Sequence, residues 1–147
     1  MSTRGTAADL EVLPEDECFE LLARHRLGRV AVVAAGQPLI FPVNYALGDR
    51  VIAFRTAEGT KLATAPNSHV AFEIDGYDQA SGVGWSVVLQ GVAYEITNAV
   101  DRHSQLTRSL PVQPLAPGER EHWIGILPTE LSGRRFGPQS RPTPPGG

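Results

Sequence analysis

The chain has 147 residues, 41% of them apolar and 20% charged, and a formal net charge of -3. That is the size of one domain with enough apolar material for its own core, and a charge balance that excludes both intrinsic disorder and a field strong enough to hold nucleic acid. Cys18 is the single cysteine, so no intrachain disulfide forms; Arg4 and Asp9 interrupt any secretory signal, no run approaches the ~18 apolar residues of a membrane span, and a soluble, cytoplasmic protein is expected.

Residues 1–12 are expected to be a flexible N-terminus ahead of a folded domain over 13–137. Pro14-Glu15-Asp16-Glu17 is a good helix start, with proline early and acids in the first turn. Cys18, Leu21, Leu22 and His25 continue at helical spacing, and Gly28 is expected to end the helix. Strands are then predicted over 30–34, 39–47, 51–56, 70–74 and 86–96, all rich in β-branched and aromatic residues. The turns Ala35-Gly36-Gln37-Pro38 and Gly48-Asp49-Arg50 are short enough to join antiparallel neighbours, which predicts a meander of two hairpins. Short helices fit 60–65 and 99–110, and Pro111, Pro114 and Pro117 impose an extended loop. A last strand at 123–127 completes a mainly β chain with a few short helices, a small barrel. Residues 138–147, with four prolines and two glycines, should be a disordered tail.

The segment Phe54-Arg55-Thr56-Ala57-Glu58-Gly59-Thr60-Lys61-Leu62 sets two cations and two hydroxyls where a strand meets a glycine-bearing turn. Arg55 can fork onto phosphate oxygens, Lys61 adds a point charge, and Thr56 and Thr60 can donate. The alternative is a solvated surface, the usual state of such cations. Pro42 removes a ladder donor in mid-strand, which fits an edge or bulge, or a backbone that faces a flat polar ligand with Asn44 beside it. In the strand at 86–96, Ser86 and Gln90 point from a mainly apolar surface and need partners if buried. Trp85, on the opposite face, reads as a core anchor or as a ligand surface.

Other chemistry finds no support. Gly59-Thr60-Lys61 lacks the spacing of a Walker loop, and Gly82-Val83-Gly84 has no glycine at 87. His25, His69, His103 and His122 stand far apart, so no metal site is expected, and no serine occupies a nucleophile elbow.

In their order and spacing, Leu27-Gly28-Arg29-Val30-Ala31-Val32, Pro42-Val43-Asn44-Tyr45, the Phe54 to Lys61 segment and Gly84-Trp85-Ser86-Val87-Val88-Leu89-Gln90-Gly91 resemble the pyridoxamine 5'-phosphate oxidase-like family of FMN-binding split barrels. The likeness is greatest to its small bacterial branch of nitroimidazole reductase-like proteins. It implies a six- or seven-stranded antiparallel split β-barrel, a homodimer with the cofactor between subunits, and an oxidoreductase that passes hydride through flavin. The resemblance assigns the phosphate to Arg55, Thr56, Thr60 and Lys61 and the ring edge to Pro42, Val43 and Asn44, largely through backbone. Ser86, Gln90 and, more weakly, Trp85 match the strand that reaches the cofactor. FMN is expected, with deazaflavin or haem as the alternative and a non-catalytic carrier as the rival class. NADH or NADPH would serve as donor to a small-molecule substrate. Ser132-Gly133-Arg134-Arg135-Phe136 stands where true oxidases carry an arginine-rich substrate motif, which argues against vitamin B6 oxidation.

Overall fold

The computed structural model describes residues 10–57, 68–96 and 121–138. In chain order they form β1 (Leu10–Leu13), α1 (Glu15–Arg24), β2 (Leu27–Ala34), β3 (Gln37–Gly48), β4 (Val51–Ala57), β5 (Ser68–Asp78), β6 (Val83–Ile96) and β7 (Glu121–Phe136). The strand order is β1-β7-β4-β3-β2-β5-β6, and a further β6–β7 ladder closes the sheet on itself. Every pairing is antiparallel, so β2 to β7 make the expected split barrel and β1 is added to the side of β7.

The meander of two hairpins follows from its turns. Ala35 and Gly36 (φ 53 and 76) join β2 to β3, and Asp49 and Arg50 (φ 53 and 64) join β3 to β4. Positive φ at both central residues gives a turn whose twist matches the strands it connects. Alternation then sends Val30, Val32, Val43, Tyr45, Phe54 and Phe72 into one buried cluster. The Tyr45 and Phe72 rings meet edge to face at 4.9 Å. At ten residues α1 is too short to persist alone. It is held by Cys18, Leu21 and Leu22, which are buried in the same core, each leucine stabilising by roughly 1.5–3 kcal/mol.

Three boundaries differ from expectation. The helix ends at Arg24 with His25 already extended, and Gly28 lies inside β2, where a Cβ would fall on the Phe72 ring. The glycine is needed for packing and does not stop the helix. Leu10 to Val12, expected to be flexible, belong to β1, which pairs from Leu10↔Phe136 to Leu13↔Gly133 and buries Leu13. The last strand runs to Phe136 beyond the expected end at 127, with Pro128 accommodated where the β6–β7 register shifts.

The expected helices at 60–65 and 99–110, the loop of Pro111, Pro114 and Pro117, and the tail beyond Pro138 lie outside the described residues. Among the described residues no helix is long and apolar enough to cross a membrane.

Candidate functional site

The barrel forks where β3 and β4 part. Their ladder runs from Gly48↔Val51 to Tyr45↔Phe54 and stops there. Beyond that pair β4 continues along β7, through Arg55↔Trp123 to Ala57↔Glu121, while the first half of β3 pairs with β2 alone. Asn44 and Arg55 stand at the mouth of this fork. β4 holds Arg55 firmly, because Val51, Ile52, Ala53 and Phe54 are completely buried and the strand is covered on both faces.

The position of Pro42 follows from hydrogen-bond parity. The Tyr45 N–H donates to the Arg26 carbonyl at 2.8 Å. Odd-numbered residues of β3 therefore direct their backbone groups to β2, and even-numbered ones direct theirs to the opposite edge. Pro42, opposite Arg29, and Pro38, opposite Val33, occupy positions where β2 asks for no N–H. Both prolines sit on an edge that β4 does not reach.

Strand alternation divides the expected site residues between two faces. Pro42, Asn44, Arg55, Ser86 and Gln90 lie on the outward face, whereas Val43 and Thr56 are buried on the core side. Arg55 and Thr56, neighbours in sequence, thus point to opposite sides of β4. Trp85 also lies on the core side: it packs against the cluster, its ring is 4.8 Å from that of His25, and it occupies the space beside Gly76. Of its two readings, the structure gives it the packing role. Thr60 and Lys61 lie outside the described residues.

On the outward face β6 is separated from β3 by β5 and β2, roughly 14 Å at the usual strand spacing. A groove of about 420 Å³ bridges much of that gap, lined by Ala31, Val33, Pro38, His69, Ala71 and Gln90 among others. It brings Gln90 toward the proline edge, and its walls are mainly apolar with few polar groups, as suits a heterocycle. A smaller recess of about 200 Å³, between α1 and β7 around Phe19 and Arg50, belongs to another part of the barrel.

Charge on this face is concentrated at Arg29. Its Nη2 lies 2.7 Å from Glu73 Oε1 and 2.9 Å from Asp75 Oδ2, so one guanidinium joins two carboxylates of β5. Burial pushes Glu73 up, helped by its hydrogen bond to Asp75, while that bond holds Asp75 down. The pair keeps a proton on Glu73 more readily than a solvated glutamate would. Arg55 is placed differently, its guanidinium carbon 5.6 Å from the centre of the Trp123 ring. Burial and then the acids of the first helical turn push the Cys18 thiol up, so it stays protonated and unreactive.

Arg29, Glu73, Asp75, His69 and Trp123 were absent from the sequence-based site. The alternation of Glu73 and Asp75 with the buried Val70, Phe72 and Ile74 is a readable signal of a charged face. The Arg55–Trp123 meeting depends on a long-range register that no local pattern encodes.

Residues 14–135 match the pyridoxamine 5'-phosphate oxidase family. The chain is 31% identical over 144 residues to the uncharacterised protein Rv0080 of Mycobacterium tuberculosis, covering 92% of this chain and 91% of that one. Among solved structures it is similar to an FAD-binding protein of Mycobacterium smegmatis, with TM-score 0.71, 37% identity and coverage of 86% of this chain and 99% of that one. It also resembles a Corynebacterium glutamicum protein provisionally described as a pyridoxamine 5'-phosphate oxidase, with TM-score 0.76, 32% identity and coverage of 90% and 97%.

Proposed function

The chain belongs to the pyridoxamine 5'-phosphate oxidase family, and we propose that it is a flavin-dependent oxidoreductase that binds FMN and transfers hydride between a reduced nicotinamide and a small-molecule substrate. The observation that carries this reading is the fork, where β3 and β4 part at Asn44 and Arg55, together with an apolar groove that runs from Pro38, farther along β3, across to Gln90. The donor set suits a flat phosphorylated ring. Arg55 directly follows four completely buried residues of β4 and can meet a phosphate with a two-pronged, charge-assisted hydrogen bond. The edge from Pro38 to Asn44 can meet a ring through backbone, and Gln90 can reach it along the groove. Bound flavin supplies the electron chemistry, so the protein's part is to hold, orient and shield the ring.

A homodimer belongs to the same proposal. The groove is open, and Val33 (72% exposed) and Ile40 (70%) leave apolar surface beside it. A second copy laid on this face would cover that surface and provide the missing wall of the pocket.

The FAD named for the M. smegmatis relative makes FAD the second reading of the cofactor. Absorption spectra of the purified protein, before and after addition of FMN, FAD, deazaflavin and haem, separate the cases. Saturable FMN binding followed by bleaching on addition of NADH or NADPH is expected. Binding without reduction by any donor would place the protein among carriers, and indifference to all four ligands would refute the reading.

A further inference from the structure

We propose that a second copy of this chain docks on the outward face over the Arg29–Glu73–Asp75 cluster, and that docking takes up a proton at the cluster, so that the pair tightens as pH falls. The inference rests on the homodimer reading above and deepens it, naming the centre of the interface and what controls it.

The ladders fix what surrounds the cluster. Arg29 stands opposite Pro42 on β3 and Glu73 on β5, and Glu73 stands opposite Val88 on β6. Along β2, alternation sets Leu27 outward on one side of Arg29 and Ala31 and Val33 outward on the other, with Ile40 beside Ala31. Leu27, Val33, Ile40 and Val88 are all exposed. These apolar side chains enclose the cluster, so a flat partner that covers them together also covers the charges. Nucleic acid or an anionic membrane would ask for a surplus of positive charge, and at the centre of this face the surplus is negative. A second copy suits it better: a two-fold contact sets the same apolar surface against itself and buries one cluster from each subunit.

Burial gives the proton its role. One guanidinium against two carboxylates leaves an uncompensated negative charge, which is costly to remove from water. Uptake of a proton cancels it. Glu73 is the group that takes it up, since burial and its bond to Asp75 already push it up while that bond holds Asp75 down. A partner laid over it desolvates it further. On β6, Val88 faces Glu73 and Ser86 faces Asp75, and α1 packs on the core side. Farther off on the same face lie His69 and Tyr77 of β5, and Glu130 and Arg134 of β7. Protonation of His69 would add charge to the interface and weaken the pair, the opposite direction to the effect proposed.

Sedimentation equilibrium of the full chain at about pH 8 and about pH 6 tests this, with an expected Kd about tenfold lower at the lower pH. Glu73→Gln removes the surplus charge without a proton. At the higher pH it should pair as tightly as the wild type does at the lower, and its dependence on pH should vanish. Glu20→Gln makes the same change of charge at an exposed position of α1, away from this face, and should keep the wild-type dependence. Ile40→Asp should yield a monomer at both pH values with an unchanged circular-dichroism spectrum. A wild-type Kd equal at both pH values, or a Glu73→Gln variant that keeps the dependence, would overturn the proposal and leave the homodimer intact. A dimer that Ile40→Asp does not weaken would lie on another face and overturn it as well. A wild type that stays monomeric throughout would overturn the proposal and the homodimer reading together.

Discussion

The Tyr45 hydroxyl donates to the Leu22 carbonyl at 2.7 Å, tying the middle of β3 to the last turn of α1. Leu22 is completely buried, and its carbonyl lies near a helix end where carbonyls lose their intrahelical partners. Tyr45→Phe keeps the ring against Phe72 and removes only the bond. A loss of about 1–3 kcal/mol is expected in urea denaturation, because the carbonyl is left buried and unsatisfied. Burial also pushes the Tyr45 phenol well above its ordinary value of 10.0. Above about pH 10 the unfolded chain releases this proton while the folded chain keeps it, so stability falls as pH rises. The phenylalanine variant should lack that part of the alkaline slope.

Arg29→Ala separates charge from packing on the outward face. At neutral pH it leaves Glu73 and Asp75 facing each other without the guanidinium that joins them. A loss of about 1 kcal/mol is expected, as the group is partly exposed. The signs of the two shifts are opposite. Asp75, held down, contributes stability above its unfolded value that is lost as pH falls; Glu73, raised, opposes folding as pH rises through its unfolded value. Without Arg29 the repulsion between them prevails at pH 7 and disappears as both take up protons, so the deficit against wild type should shrink toward about pH 4. Denaturation curves at the two pH values decide this, and an equal deficit at both would show that Arg29 acts through packing.

The centres of β2 to β6 were legible because each strand alternates and because their turns carry glycine, aspartate or proline. Length and pairing were less so. β1 has only Leu13 buried and begins beside acids and a proline, so its strand character comes from β7 and not from its own residues. The part of β7 beyond Leu127 contains Pro128, Gly133 and two arginines, and reads as a loop. Pro128 lies at a register shift, and Gly133 leaves room for the Cys18 sulfur, so both breakers serve packing. Of the candidate site residues, the motifs pointed to Pro42, Asn44 and Arg55, which the structure sets on the outward face about the fork, and alternation correctly set Trp85 on the face opposite Ser86. What stayed hidden was the fork, since the parting of β3 from β4 is a property of three strands together.

The β2–β3 turn can be improved. Ala35 is held at φ 53 ahead of Gly36 at φ 76, a conformation in which a Cβ crowds the following carbonyl. Asparagine tolerates this region, and Asn-Gly is the preferred pair for such a turn. Ala35→Asn should raise stability by about 0.5–1 kcal/mol, seen as a higher Tm. Ala35→Val should lower it, since a β-branched side chain suffers most at positive φ.

Arg55 carries the phosphate end of the proposed site and can be tested apart from the fold. Arg55→Ala removes the two-pronged contact and the charge, so FMN affinity measured by fluorescence titration should fall by about 1.5–3 kcal/mol, roughly tenfold to a hundredfold. The same change removes the approach to Trp123, which is worth about 0.5–1 kcal/mol of stability at a surface site. Those effects separate with Arg55→Lys, which keeps a positive charge but loses the fork. Its affinity should lie between wild type and alanine, because a point charge attracts phosphate without fixing its oxygens. Riboflavin, which has the ring and no phosphate, supplies the control: its binding should be nearly indifferent to residue 55. Equal losses for FMN and riboflavin would mean that Arg55 supports the shape of the fork, and unchanged FMN affinity would remove it from the site.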